Sequence, residues 1–103
     1  MKPNSVYLYK GQTVERDNLS MEVVPGTTHI DCASIRLFPG QTHKFTSTDA
    51  IVYVISGMCG LTVGDDSYTI NSGEFTHIPA GKRAEFTNTN GYETFFMIVG
   101  AKQ

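Results

Sequence analysis

The chain has 103 residues, a length that fits one domain with a single hydrophobic core. Hydrophobic residues make up 40% of it and charged residues 17%, which is typical of a globular fold and not of a disordered chain. The formal net charge of −2 provides no basic surface, which argues against nucleic acid or an anionic membrane as the main partner.

The same numbers guide expectations about location and thiol chemistry. The longest apolar run, 50–55, is too short to span a bilayer. No signal-like apolar segment follows the first residues, so we expect a cytoplasmic protein. Cys32 and Cys59 are too few for a disulfide framework, and in a reducing compartment we expect free thiols packed as small hydrophobic side chains.

Short apolar or alternating runs, separated by Gly, Asn, Asp and Pro, recur along the chain, and none has a sustained helical period. The expected strands in chain order are 6–9 and 21–24 within an N-terminal region 5–24, then 29–38, 43–46, 51–55, 61–63, 67–70, 74–78, 83–87 and 92–99. The run 51–55 is almost wholly β-branched or aromatic, which predicts a strand buried on both faces. Strands at this spacing predict a single all-β domain over 1–103, a sandwich or barrel without substantial helix.

The turn residues of the second half follow a spaced motif. Gly73, Pro79, Gly81 and Asn88 fit the pattern Gly, five residues, Pro-x-Gly, two residues, His, three residues, Asn, with Ala84 in the place of the His. A first motif ends at Gly57, six residues after Ala50. These motifs resemble those of the cupin family over about residues 30–99, which implies a small jelly-roll β-barrel.

The resemblance also implies where a metal would be held, because cupins usually bind one through two His and a Glu of the first motif and a His of the second. Ala50 falls on the Glu position and Ala84 on the last His position, and neither has a donor atom. The first motif is shortened after Gly40. Counting back from Ala50 puts Lys44 and Thr46 at the other two positions, counting forward from Gly40 puts Thr46 and Thr48 there, and neither count gives a His. Lys44 would repel a cation, so we expect no metal and no other cofactor at the usual site.

Four alternative hypotheses for the function are compatible with the absence of the usual metal-binding residues. The leading one is a metal-independent barrel that binds a small polar molecule in its interior. Its pocket residues would come from Arg36, Lys44, Thr46, Ala50, Tyr53, His77 and Ala84. An Arg36 guanidinium could grip a carboxylate or phosphate, and the small Ala50 and Ala84 would leave room for the ligand.

The alternatives use the histidines differently, or not at all. One is an isomerase, epimerase or lyase, with His77 or His43 as general base and Tyr53 or Lys44 as acid. Another is a displaced metal site made of His43, His77 and Asp49. The last is a structural or regulatory dimer without a ligand.

Two runs predict association with a second copy. The alternate sets of side chains in 95–99 are both apolar, so both faces of that strand need cover. The run 21–24 is also more apolar than one barrel face requires. Small cupins are commonly dimers, and we therefore expect a homodimer.

Overall fold

The computed structural model describes residues 12–16, 19–23, 29–46 and 49–101, and the side chains among them from Met21 onward. These residues form ten β-strands. Within the same residues, no helix is long and apolar enough to cross a membrane. The strands are β1 (Gln12–Arg16), β2 (Leu19–Val23), β3 (Ile30–Leu37), β4 (Thr42–Thr46), β5 (Ala50–Ser56), β6 (Met58–Val63), β7 (Asp66–Asn71), β8 (Phe75–Ile78), β9 (Arg83–Thr87) and β10 (Thr94–Ala101). The predicted all-β class is confirmed. The strand expected over 6–9 lies outside the described residues.

The strands form two antiparallel sheets. One has six strands in the order β1-β2-β3-β10-β5-β8, and the other has four in the order β4-β9-β6-β7. Consecutive strands β4 and β5, and again β8 and β9, lie in different sheets, so the chain passes back and forth between them. This jelly-roll arrangement confirms the predicted architecture.

The core lies between the inner faces of the two sheets. Its largest members are fully buried, and they come from both sheets: Ile35, Leu37, Val52, Val54, Leu61, Ile78, Phe86 and Phe96. Alternation places their sequence neighbours on the outer faces. The inward-facing side chains of both sheets therefore decide what the interior can bind.

The expectation that 51–55 is buried on both faces is wrong. Val52 and Val54 are fully buried, whereas Ile51 is 50% exposed and Ile55 is 43% exposed. The β-branched composition does reflect a strand, but only one of its faces meets the core in a single chain. The outer face of β5 is thus apolar and uncovered.

The closing glycine of the first motif is required by a close approach of two chain segments. Gly57 has a φ of 82°, and a Cβ there would lie 2.9 Å from the carbonyl oxygen of Glu93 and 2.9 Å from Oγ1 of Thr94. A side chain would be strained by the backbone and would also clash. A hydrogen bond also joins the two segments here, because the Thr94 hydroxyl donates to the carbonyl of Met58 at 2.6 Å.

Candidate functional site

The positions at which a cupin would carry its metal ligands lie on the inner faces, and the structure identifies which residues occupy them. On β4, His43 is 8% exposed and Phe45 packs against the core, so both point inward. On β9, Ala84 and Phe86 are fully buried. His43 pairs with Phe86 and Phe45 pairs with Ala84 across the two strands.

Lys44 and Thr46 do not point into the interior as expected. Both are exposed, and Lys44 pairs with Glu85 on the outer face of the four-stranded sheet. If four residues, instead of three, separate the His-x-His pair of the motif from Ala50, the pair falls on His43 and Phe45. This spacing is the signal in the sequence that would have identified them. The contraction of the first motif therefore lies between Gly40 and His43.

The remaining two positions match the sequence prediction. Ala50 is 2% exposed at the start of β5, and Ala84 is fully buried at the second residue of β9. Together with His43 and Phe45 they supply one imidazole, one phenyl ring and two methyl groups. A divalent metal needs about three or four converging N, O or S donors, so these four residues do not fit one.

Aromatic rings take up much of the inner face instead. The ring centroids of Phe45 and Phe86 are 5.7 Å apart, and those of Phe86 and Phe96 are 4.7 Å apart. The ring of His43 stacks on both Phe45 and Phe86, at 5.8 Å and 6.4 Å. His43 is thus held within an aromatic cluster of the barrel.

Arg36 and Tyr53 lie outside the barrel, contrary to the expectation that they line its pocket. Arg36 forms an ion pair with Glu93, and its guanidinium carbon lies 4.4 Å from the centre of the Phe95 ring. The ring of Tyr53 lies 4.4 Å from that of Phe75. Both residues belong to the outer face of the six-stranded sheet.

His77 lies on the same outer face, next to Asp49. Its Nε2 is 2.5 Å from Oδ1 of Asp49, and both side chains are more than half exposed. His77 also lines a cleft of about 810 Å³ between the edge strands β7 and β8. A carboxylate in this position can orient an imidazole through a hydrogen bond.

The displaced metal site is not formed. His43 points inward from the four-stranded sheet, whereas His77 points outward from the six-stranded sheet, so the core lies between them. Asp49 lies next to His77. Within the described ranges, no three His, Cys, Asp or Glu side chains come together in a group that could hold a metal.

The asparagine that ends the second motif has a structural role. Asn88 is 1% exposed, and its Nδ2 donates to the carbonyls of Leu37 and Tyr92 at 2.7 Å and 2.8 Å. Its Oδ1 accepts from the backbone N–H of Asn90 at 2.8 Å. It satisfies buried backbone groups at the end of β3 and in the loop before β10.

The two cysteines are free thiols in different environments. Cys59 is 1% exposed in the core, and burial raises its pKa to about 11. Cys32 is half-buried on the outer face of β3, and burial raises its pKa as well. A raised pKa lowers the fraction of nucleophilic thiolate, so neither has the character of an activated cysteine.

Comparison with solved structures identifies the arrangement. An RmlC-like cupin family protein with a double-stranded β-helix fold from Methanocaldococcus jannaschii has a TM-score of 0.78 and 23% identity, with 93% of this chain and 90% of that one covered. A Cupin 2 conserved barrel domain protein from Salinispora arenicola has a TM-score of 0.73 and 16% identity, over 85% and 79%. This chain has the cupin fold. Family sequence models and curated proteins give no match.

A further structural neighbour has the same fold. A protein from Thermotoga maritima, described as a predicted oxalate decarboxylase, has a TM-score of 0.76 and 14% identity, with 92% of this chain and 94% of that one covered. The fold hosts many unrelated activities, so the function of this cupin barrel depends on its own side chains.

Proposed function

We propose that this cupin barrel binds a small organic molecule in its interior without a metal. The observation that supports the proposal most directly is the set of residues at the ligand positions, where Phe45, Ala50 and Ala84 offer apolar contacts and His43 is the one polar group. A site of this composition is typical of a pocket for an organic ligand, which is mostly apolar with few polar groups.

The accessible part of the interior favours an apolar or aromatic ligand. Ala33, Phe45, Val63 and Ile98 are only partly buried, although they pack against the fully buried core. Val63 and Phe45 flank Ala84 on the inner face of the four-stranded sheet. We therefore propose that the ligand has an apolar or planar body with few polar groups, and is not the polar molecule expected from the sequence.

A thermal-shift screen with planar aromatic acids, aliphatic acids and sugars tests the proposal, after metal analysis of the purified protein. A ligand at 100 times its Kd adds about 2.7 kcal/mol to the free energy of unfolding. We expect less than about a tenth of an equivalent of metal, and a shift with an apolar or aromatic class. Stoichiometric metal, or no shift with any class, would overturn the proposal.

A pair of variants locates the binding site. Val63→Phe adds a ring to the partly buried inner face, whereas Thr62→Phe adds the same ring to the outer face one residue away. We expect the first variant to lose at least tenfold in affinity and the second to bind as the parent does. Equal affinities in both variants would place the ligand elsewhere.

A second candidate function uses the outer pair of His77 and Asp49. Their short contact and the adjoining cleft support a general base that acts on a small molecule, as in an isomerase, epimerase or lyase. Tyr68 and Lys82 also line that cleft and would be the acids there, in place of the expected Tyr53 and Lys44. If a substrate is found, unchanged turnover in His77→Ala would exclude this role.

A further inference from the structure

The two sheets are not joined along one side of the barrel. Among the described strands, β7 ends the four-stranded sheet and β8 ends the six-stranded sheet, and the two do not pair with each other. At one end the backbone N–H of Glu74 donates to the carbonyl of Asn71 at 3.1 Å, and at the other end that of Gly64 donates to the carbonyl of Arg83 at 3.4 Å. The cleft of about 810 Å³ lies between these two closures. We call it the lateral gap, and its lining includes Val63, Asp66, Tyr68, Ile70, Thr76 and Lys82.

The lateral gap extends from the outer surface into the barrel. Tyr68 pairs with the buried Leu61, and paired residues share a face, so Tyr68 is directed inward. It is nevertheless 52% exposed. Thr76 pairs with the fully buried Val52 and is only half-buried. Inward-directed side chains of both sheets thus meet solvent here, which means that the interior is open between β7 and β8.

Val63 connects the lateral gap with the proposed ligand site. Its side chain lines the gap and also packs against the core, where it is only partly buried. It is the direct cross-strand partner of Ala84, one of the positions at which a cupin would carry a metal ligand. The gap therefore leads to the part of the inner face that the interior ligand would occupy.

We propose that a small molecule enters the barrel interior through the lateral gap, and that the gap selects for neutral or cationic molecules. This route presupposes the proposed interior ligand site. Tyr68 and Thr76 reach the opening from the two sheets, so their bulk sets its width. An opening between two strands suits a slim body such as a planar ring.

The ionisable groups along the lateral gap carry the selection by charge. Three carboxylates line it, those of Asp65, Asp66 and Glu74. Among the described lining residues, Lys82 has the one ammonium group, and His77 is paired with Asp49. A path lined mainly by one sign of charge attracts molecules of the opposite sign and repels those of the same sign. Neutral molecules and amines should therefore enter more readily than carboxylic acids.

A thiol placed behind the gap tests the route without any ligand. In a Cys32→Ser, Cys59→Ala background, Val63→Cys puts the thiol on the inner face, and Thr62→Cys puts it on the outer face as a reference. The probes are two ethyl methanethiosulfonates, one with a trimethylammonium group and one with a sulfonate. The thiolate attacks the sulfur bonded to the ethyl group, which forms a mixed disulfide and releases methanesulfinate.

Variants that change the width of the gap should change the labelling rate at residue 63. Thr76→Trp fills the gap from β8 and should slow the labelling of Val63→Cys several-fold with both reagents. Tyr68→Ala widens the gap and should speed it. Ser67→Trp is the matched control, because Ser67 is next to Tyr68 but pairs with Thr62 on the outer face. Circular dichroism and a cooperative unfolding transition check that each variant is folded.

The ratio of the two labelling rates tests the selection by charge. The cationic reagent should be favoured over the anionic one by about threefold or more at Val63→Cys relative to Thr62→Cys. High salt should reduce this preference. Asp66→Asn should also reduce it, whereas Glu85→Gln, which removes a carboxylate from the outer face, should not.

Two results would overturn the inference. One is a labelling rate at Val63→Cys that neither Thr76→Trp nor Tyr68→Ala changes, since reagents would then reach the interior by another path. The other is an equal preference for the cationic reagent at residues 62 and 63. The proposed function fails separately: a thermal-shift screen without any shift would remove the interior ligand, while the labelling results would still decide whether the gap is open.

Discussion

Phe45 and Ala84 are direct cross-strand partners on the inner face of the four-stranded sheet, and one is large where the other is small. The pair occupies two positions at which a cupin would carry metal-binding histidines. Because Ala84 has only a methyl group, its neighbourhood can accommodate the ring of Phe45, which stacks on Phe86. The site therefore has packed apolar side chains where a cupin has metal-binding histidines, while the strands that carry these positions are kept.

That frame predicts that a metal site can be rebuilt. The triple variant Phe45→His, Ala50→Glu and Ala84→His, with His43 retained, restores four donors on the inner faces. We expect it to take up about one equivalent of a divalent metal such as Zn²⁺, measured by metal analysis after dialysis, while the parent takes up almost none. The matched control carries Lys44→His, Thr46→His and the same two alanine replacements, and also His43→Phe, so that only two donors remain on the inner faces.

The two designs separate the two ways of counting the motif. Lys44 and Thr46 point outward, so histidines at those positions should not join the interior donors. Uptake by the control and not by the first variant would show that the inward frame of β4 is misassigned.

Asn88→Asp should destabilise the fold strongly. The carboxylate keeps an acceptor for the N–H of Asn90 but removes both donors to the carbonyls of Leu37 and Tyr92. Buried carbonyls would then face a charged oxygen, and we expect a loss of about 3 kcal/mol in urea unfolding. Asn71→Asp, at an exposed strand end, is the control and should change stability by less than about 0.5 kcal/mol. Equal losses would contradict the structural role of Asn88.

Gly57→Ala should cost more than Gly73→Ala. Both glycines have positive φ, at 82° and 84°, but a Cβ on Gly57 meets two atoms at 2.9 Å, whereas a Cβ on Gly73 meets nothing within 4 Å. The backbone strain alone costs roughly 1 kcal/mol, and the clash adds to it at Gly57. Chemical denaturation of the two variants gives the difference directly, and similar midpoints would argue against the close approach.

The thiol of Cys59 should make stability fall at high pH. Burial raises its pKa to about 11 in the folded protein from 9.0, so the unfolded chain loses this proton first as the pH rises. The stabilisation is complete below pH 9 and is lost between about pH 9 and 11. Cys59→Ala should therefore lose less stability over this range, by on the order of 1 kcal/mol.

The comparison of the two pH profiles removes other titrations. Tyrosines, lysines and Cys32 are common to both proteins, so their contributions cancel in the difference. Parallel profiles from pH 8 to pH 11 would show that Cys59 is not the group responsible.

The strands and turns were predictable because they depend on local constraints. Gly57, Gly73 and Gly81 adopt positive φ, and Pro79 ends a strand, so the backbone requirements of the turns are visible in the sequence. The identity of the positions without donors, Ala50 and Ala84, followed from the same spacing. Their burial confirms that they face inward.

The direction of β4 was not predictable in the same way. A shift of one residue exchanges the two faces of a strand, and 43–46 has no clear alternation to decide between them. Lys44 and Thr46 were consequently predicted at the inward ligand positions, which His43 and Phe45 occupy in the structure. The inward packing of Phe45 on Phe86 depends on β9, which is distant in sequence and near only in the fold.

The position of β10 has a consequence for how the chain assembles. This strand follows all the others in sequence, yet it lies between β3 and β5 in the middle of the six-stranded sheet. Until it is synthesised, two central strands have no partner on their facing edges, and their apolar side chains remain open to other chains. Pairing over such long sequence separations is slow. The large sheet is therefore completed only when β10 pairs with both β3 and β5, which makes its central pairing a late step of folding.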